Sequence, residues 1–144
     1  MSHYADSSFL VSCYVTDAKT LQAKAYLLRA GVPLVFTALH SVEVRNAFQL
    51  GVFRGLFSAA DATAARANLE IDLRSGRLVK KTVNWPVALR VAARLSERHS
   101  ATVGTRSLDI LHVAIARALR VVEFASFDTR QRTLAATVGL KVVP

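Results

Sequence analysis

Residues 4–10 read Tyr4-Ala5-Asp6-Ser7-Ser8-Phe9-Leu10, a short apolar segment followed by an acid, two hydroxyl residues and a second apolar segment. The pattern predicts a brief strand over residues 3–5 and a short helix that continues through Tyr14. Asp6 then comes directly after a buried strand, where an unpaired carboxylate is costly. This unit of strand, acid and helix is the pattern from which the rest of the fold is predicted.

The remainder of the chain alternates in the same way between short apolar runs and longer helical patterns. Strands are expected at residues 34–36, 78–83, 121–125 and 141–143. Helices are expected at residues 41–54, 58–74, 108–119 and 129–138, with Gly76 ending the second of these and Ser107 as the N-cap of the third. Another helix is expected to begin at residue 17 or 20 and to end before Gly31 and Pro33, and a further one to begin at Pro86. This alternation predicts an α/β fold with a parallel sheet.

Length and composition favour a single domain spanning residues 1–144, with 52% hydrophobic and 20% charged residues. A mean hydropathy of +0.30 argues against disorder. The one cysteine, Cys13, excludes an internal disulfide, so a reducing compartment is expected, with the cytoplasm as the default. No signal peptide and no membrane-spanning segment is expected, because the apolar run 9–15 is short and interrupted by Ser12 and Cys13.

The charge balance indicates a polyanionic partner. The chain has 19 Lys and Arg against 10 Asp and Glu, for a formal net charge of +9. These cations are spread along the sequence and form no single polybasic block. Nucleic acid is therefore favoured over a membrane surface.

Four acids are placed where a parallel sheet gathers its ligands, at the carboxyl ends of the strands. Asp6 and Asp128 directly follow predicted strands. Glu43 is expected in the first turn of the helix after the second strand, and Asp109 in the first turn of the helix before the fourth. All four side chains could point into one crevice.

Each acid also has a plain structural interpretation. Asp6 could cap the first helix, and Asp128 could cap the last one together with Gln131; Glu43 and Asp109 could complement helix dipoles. Taken together, the four acids indicate more than capping, because carboxylates that are packed closely repel one another. A divalent cation such as Mg²⁺ or Mn²⁺ relieves that repulsion and can activate water against a phosphodiester. Acids converging in a basic chain suggest a metal-dependent nuclease.

The segments around these acids resemble the PIN-domain ribonucleases, most closely the VapC-type toxins of toxin–antitoxin pairs. The first segment is residues 4–10. The others are His40-Ser41-Val42-Glu43-Val44-Arg45-Asn46-Ala47, Arg106-Ser107-Leu108-Asp109-Ile110-Leu111-His112-Val113-Ala114, Phe124-Ala125-Ser126-Phe127-Asp128 and Gly139-Leu140-Lys141-Val142-Val143. The resemblance thus runs nearly end to end, with the acids in the family's order.

The resemblance implies a three-layer α/β/α sandwich around a parallel sheet of four or five strands. It implies that Asp6 and Asp109 bind Mg²⁺ or Mn²⁺ with support from Asp128, and that Glu43 acts on the metal or its water. Ser7 would be a supporting hydroxyl. The implied reaction is endonucleolytic RNA cleavage by metal-activated water, leaving a 5′ phosphate and a 3′ hydroxyl. Ser126 stands where relatives often have Thr, which keeps the hydroxyl.

The resemblance also implies partners: an antitoxin of the VapB type, whose C-terminal segment occupies a groove and places a basic side chain in the acid pocket, and a second copy of the toxin in a homodimer. The candidate groove residues are unusually apolar for a helix end and a loop, although a plain core is an equal interpretation. They are Phe48, Val52, Phe53, Leu56 and Phe57.

Basic side chains supply candidates for RNA contact. Arg45 and Arg106 adjoin acidic motifs, so each either binds phosphate or pairs with a carboxylate. Two further groups could be RNA tracks or merely solvated faces: Arg90, Arg94 and Arg98 on the helix that begins at Pro86, and Arg74, Arg77, Lys80 and Lys81 around a turn. The helix from Pro86 is expected to turn these three arginines outward and to turn its apolar side chains inward, namely Leu89, Ala92, Ala93 and Leu95. His112, among apolar residues, is expected to be a core histidine.

Three other functions stay open. The chain could be a PIN nuclease of RNA processing without an antitoxin. It could be a phosphotransfer enzyme of the haloacid-dehalogenase kind with Asp6 as nucleophile, although Ser8 stands where that family has its second Asp. It could also be a non-catalytic RNA-binding module, which leaves the pattern of acids unexplained.

Overall fold

A computed structural model describes residues 2–144. Over these residues it has seven helices and five strands. The strands are β1 (Tyr4–Ala5), β2 (Leu34–Phe36), β3 (Leu78–Lys80), β4 (Glu123–Ala125) and β5 (Lys141–Val143). The helices are α1 (Ser7–Tyr14), α2 (Thr20–Ala30), α3 (Ala38–Phe53), α4 (Ala59–Ser75), α5 (Trp85–Val103), α6 (Ser107–Ala118) and α7 (Thr129–Thr137).

All the strand pairs are parallel. β1, β4 and β5 form a three-stranded sheet in the order β1-β4-β5, and β2 pairs with β3. The two groups adjoin through a bridge between His3 and Leu34, where the N–H of Val35 donates to the carbonyl of His3 at 2.9 Å. The strands therefore run β3-β2-β1-β4-β5 across the molecule, and their carboxyl ends share one edge. The predicted α/β class is confirmed.

Helices cover both faces of the strands, because neighbouring residues of a strand point to opposite sides. Ala5 and Ala125 pack into a cluster with α1, α2, α3 and α4, which includes the fully buried Phe9 and Phe48. Tyr4 and Phe124, one residue earlier in each strand, pack into the other cluster with α5, α6 and α7. The result is the three-layer arrangement that was predicted.

Capping explains where several helices begin. Thr37 and His40 form a capping box, in which the N–H of His40 donates to the Thr37 hydroxyl and the N–H of Thr37 donates to His40 Nδ1. This cap starts α3 at Ala38, three residues before the predicted start, so the expectation that Glu43 lies in the first turn is wrong. Glu43 lies in the second turn.

Other boundaries differ by a few residues. Ser107 is the first residue of α6 rather than its N-cap, a position that Arg106 occupies without a side-chain hydrogen bond. Asn84 caps α5, so Trp85 precedes Pro86 in that helix. The third and fourth strands are shorter than predicted, because backbone pairing extends only over β3 and β4. Ser58 is the N-cap of α4 rather than its first residue, and Gly76 ends the helix, as predicted.

The inward face of α5 is narrower than predicted. Leu89 and Ala93 were expected to point inward but are exposed, since the helix packs on α6 through a stripe that includes Ala88 and Leu95. The outward stripe is confirmed, because Arg90, Arg94 and Arg98 are all exposed. No helix within residues 2–144 is both long enough and apolar enough to span a bilayer.

Candidate functional site

The four acids lie on elements that meet at the carboxyl edge of the strands. Asp6 follows β1 directly, and its N–H donates to the carbonyl of Ala125 at the end of β4 at 3.0 Å. Asp128 comes three residues after β4 and caps α7, while Asp109 lies in the first turn of α6. Glu43 joins them from the second turn of α3.

Asp6 is a buried carboxylate, with 4% of its surface exposed. It caps α1, as one interpretation predicted, by accepting from the N–H of Phe9 at 2.7 Å. The hydroxyls of Ser8 and Ser126 also donate to it, at 3.0 Å and 2.6 Å. Burial raises the pKa of Asp6 although these donors oppose the shift. Among residues 2–144, Asp6 has no ion-pair partner.

Ser126 and Gln131 connect the acid motifs and are both fully buried. The amide oxygen of Gln131 lies 2.8 Å from the Ser126 hydroxyl, and its amide nitrogen donates to the carbonyl of Asp109 at 3.1 Å. Ser126 in turn accepts from the N–H of Asp128 at 3.1 Å. This network holds the end of β4, the start of α7 and the start of α6 together. The sequence indicates Gln131 only as part of a helix cap, and the bridging contacts of its side chain were not predicted.

Asp109 and Asp128 line an open cavity of ≈ 400 Å³ with Arg106, Thr129 and Arg130. Asp128 accepts from the N–H of Gln131 at 2.8 Å, which confirms the capping interpretation of that acid. Asp109 accepts from Arg106 Nε at 2.9 Å, so this arginine pairs with a carboxylate of the site. The Arg106 side chain is 79% exposed, and exposed ion pairs of this kind contribute little to stability. Arg106 can therefore leave Asp109 at low cost.

Glu43 is held by a buried polar chain. The Ser7 hydroxyl donates to Glu43 Oε1 at 2.9 Å, and His112 Nε2 lies 2.5 Å from the same oxygen. Because Glu43 is an acceptor, the Nε2 proton of His112 points to it, and His112 Nδ1 accepts from the hydroxyl of Tyr4 at 2.6 Å. No side chain of residues 2–144 donates to Oε2, so this oxygen has no hydrogen-bond partner in the described part of the chain.

The electrostatics of Glu43 favour its charged form. Partial burial raises the pKa of its carboxyl, but the hydrogen bonds from His112 and Ser7 outweigh burial, so the pKa lies below its ordinary value. Burial raises the pKa of Tyr4 well above its ordinary value, so this residue stays a donor. The expected core position of His112 is correct, with 2% exposure, but its contact with Glu43 was missed.

His40 ties the neighbouring strand end to this edge. Its Nδ1 accepts from Thr37, and its Nε2–H donates to the carbonyl of Ala5 at 2.8 Å, just before Asp6. Burial lowers the pKa of His40 to about 3, so the ring is neutral in this role. The sequence showed no metal spacing around this histidine and gave no sign of its bracing function.

The donor set suits a hard divalent cation in its chemistry, since carboxylate and hydroxyl oxygens are the ligands that Mg²⁺ prefers. The buried Asp6, with no ion-pair partner in residues 2–144, is the group that such a cation would neutralise. As arranged, no three His, Cys, Asp or Glu side chains of the described chain already surround a common point where a metal ion could bind. Binding by three of these side chains would therefore need a change in the conformation of at least one of them.

The basic candidates are placed differently from one another. Arg45 pairs with Glu70 of α4 at 2.6 Å and not with an acid of the site. Arg77 pairs with Asp72 at 3.2 Å. Arg74, Lys80 and Lys81 are exposed, as are the three arginines of α5.

The apolar groove candidates divide into two sets. Phe48 is buried in the core, and Val52 and Phe57 pack against it. Phe53 and Leu56 are 86% and 71% exposed. Only the second set is available to a partner.

Comparison with known proteins identifies the fold. No family model matches the sequence, and no curated protein is similar to it in sequence. Among solved structures, the chain is similar to Mycobacterium tuberculosis VapC20, described as a Sarcin-Ricin loop cleaving toxin, with a TM-score of 0.70, 19% identity and 100% of both chains covered.

Two further structures agree. FitAcB from Neisseria gonorrhoeae matches with a TM-score of 0.65 and 17% identity, covering 100% of this chain and 97% of that one. PAE2754 from Pyrobaculum aerophilum matches with a TM-score of 0.61 and 20% identity, covering 99% and 84%. The chain has the PIN-domain fold, which confirms the fold implied by its motifs.

Proposed function

We propose that this protein is a metal-dependent endoribonuclease and the toxin of a toxin–antitoxin pair in the cytoplasm. The observation that carries the proposal is Asp6, a buried carboxylate without an ion-pair partner in residues 2–144, at the strand edge where Glu43, Asp109 and Asp128 also lie. Folding alone does not favour such a concentration of acids. The shared fold with VapC20, whose description is a Sarcin-Ricin loop cleaving toxin, supports a cleaving activity for this chain.

Asp6 and Asp109 would hold Mg²⁺ or Mn²⁺, and Asp128 would support them. A bound divalent cation would lower the pKa of water and neutralise charge on the phosphodiester. Ser126 and Gln131 fix the backbone around the three aspartates through the contacts of 2.6–3.1 Å already described. Ser7 and Ser8 place hydroxyls at the entrance of α1, beside Asp6.

Glu43 is the residue suited to move a proton. Its Oε1 is occupied by Ser7 and His112, while its Oε2 is free to accept a proton from the attacking water. The lowered pKa keeps it charged and ready as an acceptor at neutral pH. Cleavage by water leaves a 5′ phosphate and a 3′ hydroxyl and needs no attack by the 2′-hydroxyl of RNA.

The surplus positive charge would hold the RNA backbone. With four acids in the site, the other residues carry 19 Lys and Arg against six Asp and Glu, the remainder of the 10 in the chain. Neutralising phosphates with such side chains gives binding that weakens as salt increases. We thus assign RNA binding to the basic surface and RNA cleavage to the acids at the carboxyl edge of the strands.

The antitoxin and the homodimer are proposed on the motif resemblance. Phe53 and Leu56 offer apolar surface to a partner. The Arg106–Asp109 pair shows that a guanidinium fits at this acid, and a basic side chain of an antitoxin could block the site by the same contact.

Cleavage by purified protein tests the enzymatic proposal. The protein should cut single-stranded RNA with Mg²⁺ or Mn²⁺ and not with EDTA, and Asp6→Asn or Asp109→Asn should abolish cutting while circular dichroism shows a retained fold. Undiminished cutting by these variants would refute the site. A phosphoryl group trapped on Asp6 would support phosphotransfer instead.

The partner is tested separately. If the protein is a toxin, a small reading frame beside its gene should encode a DNA-binding protein that copurifies with it and inhibits cleavage. An active nuclease that no neighbouring gene product inhibits would indicate RNA processing without an antitoxin. RNA binding that is insensitive to EDTA, with no products, would indicate a non-catalytic module.

A further inference from the structure

A second cavity lies on the same edge of the strands as the acids. It has a volume of ≈ 370 Å³ and opens at the carboxyl ends of β2 and β3. Its lining includes an indole, three cations and three hydroxyl residues: Trp85, Arg45, Lys80, Lys81, Thr37, Ser41 and Thr82. None of these side chains is needed for the roles assigned to the acidic site.

The cavity is next to the acids along the strand order. β2 adjoins β1, whose end carries Asp6, and neighbouring strands lie roughly 4.8 Å apart. The cavity at β2 and β3 is therefore offset from Asp6 by one to two strand spacings, roughly 5–10 Å. His40 fixes this arrangement, since it bonds to Thr37 in the cavity wall and to Ala5 beside Asp6.

The cations are positioned to receive an anion. Glu70 and the Ser41 hydroxyl hold the Arg45 side chain, through contacts of 2.6 Å and 3.2 Å. Within residues 2–144, Lys80 and Lys81 have no ion-pair partner. The cavity thus has three positive side chains against the one carboxylate that pairs with Arg45.

Trp85 supplies an apolar, planar wall. It is half-buried at the first turn of α5 and packs against the core with Val83. A fixed indole beside cations matches a ligand that has both a flat ring and a phosphate. Single-stranded RNA offers this combination, because its bases can stack on aromatic side chains while its phosphates meet Lys and Arg.

We propose that this cavity is a nucleotide subsite, in which Trp85 stacks on a base of single-stranded RNA while Lys80, Lys81 and Arg45 bind its phosphate. This inference rests on the proposed ribonuclease function. The bound nucleotide lies beside the one whose phosphodiester is cut at Asp6. The subsite selects unpaired RNA, since a base in a duplex cannot present its face to Trp85.

The fluorescence of Trp85 tests the subsite directly, because it is the only tryptophan in the chain. The Asp6→Asn protein in EDTA is titrated with a short single-stranded RNA and, separately, with adenosine monophosphate. We expect saturable quenching by both, with tighter binding of the RNA. The double variant Lys80→Ala, Lys81→Ala should bind the RNA more weakly. The matched control is the double variant Arg90→Ala, Arg94→Ala on the exposed face of α5, and the lysine variant should lose roughly fivefold or more affinity relative to that control.

Cleavage kinetics give a second readout. In the active enzyme, Trp85→Leu should raise KM for single-stranded RNA roughly fivefold or more, as loss of base stacking requires, and Trp85→Phe should restore most of it. If Trp85→Leu fails to fold by circular dichroism, the lysine pair decides. The subsite would be refuted if RNA does not quench Trp85, or if the lysine and arginine double variants lose the same RNA affinity. Neither result would count against the proposed nuclease activity. Quenching by a protein that never cuts RNA would instead retain the subsite and refute the nuclease.

Discussion

Replacing Tyr4 by Phe removes a single oxygen from the buried chain that positions Glu43. The Tyr4 hydroxyl donates to His112 Nδ1 at 2.6 Å, and the two residues are 0% and 2% exposed. The ring of Tyr4 stacks on Phe124 with a centroid distance of 5.6 Å, and Phe keeps that packing. The change therefore removes the hydroxyl and its hydrogen bond to His112 while it keeps the packing of the ring.

The expected cost follows from burial. Water cannot reach His112 Nδ1 once the hydroxyl is gone, so the variant bears the penalty of an unsatisfied buried acceptor, about 1–3 kcal/mol. For a chain of this size that corresponds to a fall in Tm of about 2–4 °C per kcal/mol. A change of tautomer gives His112 no relief, because Nδ1–H would then lack an acceptor and Nε2 would turn a lone pair toward Glu43. Cleavage should therefore fall together with stability.

Urea unfolding followed by Trp85 fluorescence measures the effect at pH 7.5. The control is Tyr14→Phe, which removes the same atom from a half-buried residue that donates to Asp72 at 2.8 Å. Water can replace that hydroxyl, so the control should lose less stability. Equal losses in the two variants, or a loss at Tyr4 within error of zero, would refute the assigned hydrogen-bond chain.

Three further predictions concern single side chains. Burial lowers the pKa of His40 to about 3, against about 6.5 in the unfolded chain, so on acidification the unfolded state binds a proton first. The free energy of unfolding should therefore fall by up to about 1.4 kcal/mol per pH unit below pH 6.5. In urea unfolding, this dependence on pH should be shallower in His40→Gln. Burial raises the pKa of Cys13 to about 12, so little reactive thiolate is present in the native protein at pH 8. A disulfide reagent should therefore label Cys13 far more slowly in the native protein than in urea, and equal labelling rates would contradict this burial. Ser126→Ala removes a hydrogen bond to a buried carboxylate and should cost about 1.5–3 kcal/mol in thermal unfolding, whereas Ser126→Thr keeps the hydroxyl and should lose less.

Much of the fold was predictable because individual residues mark where its helices begin and end. Gly31, Gly76 and Gly104 end helices with positive φ, and Ser58 begins one with a capping box, so these boundaries can be read from sequence. The start of α3 could not, because a histidine completes its cap where Glu or Gln is the usual signal. Exposure of Leu89 depends on how α5 sits on α6, which periodicity alone does not fix.

The candidate site was predictable to the extent that it follows strand order. Asp6 and Asp128 come after strands, and parallel pairing places them at a common edge. The bracing contacts were not predictable, since Tyr4 and His112 are 108 residues apart and Ser126 and Asp6 are 120 apart. Such pairs are created only by tertiary packing. Cation binding by the acids stays a prediction.

The central claim is that the acids at the strand edge cut RNA, and mapping RNA ends in cells tests it most directly. Wild-type protein and Asp6→Asn are each expressed briefly, and 5′-phosphate ends are sequenced. We predict new ends at discrete sites with the wild type and none with the variant. Identical ends in both samples, or no new ends in either from folded protein, would contradict the claim.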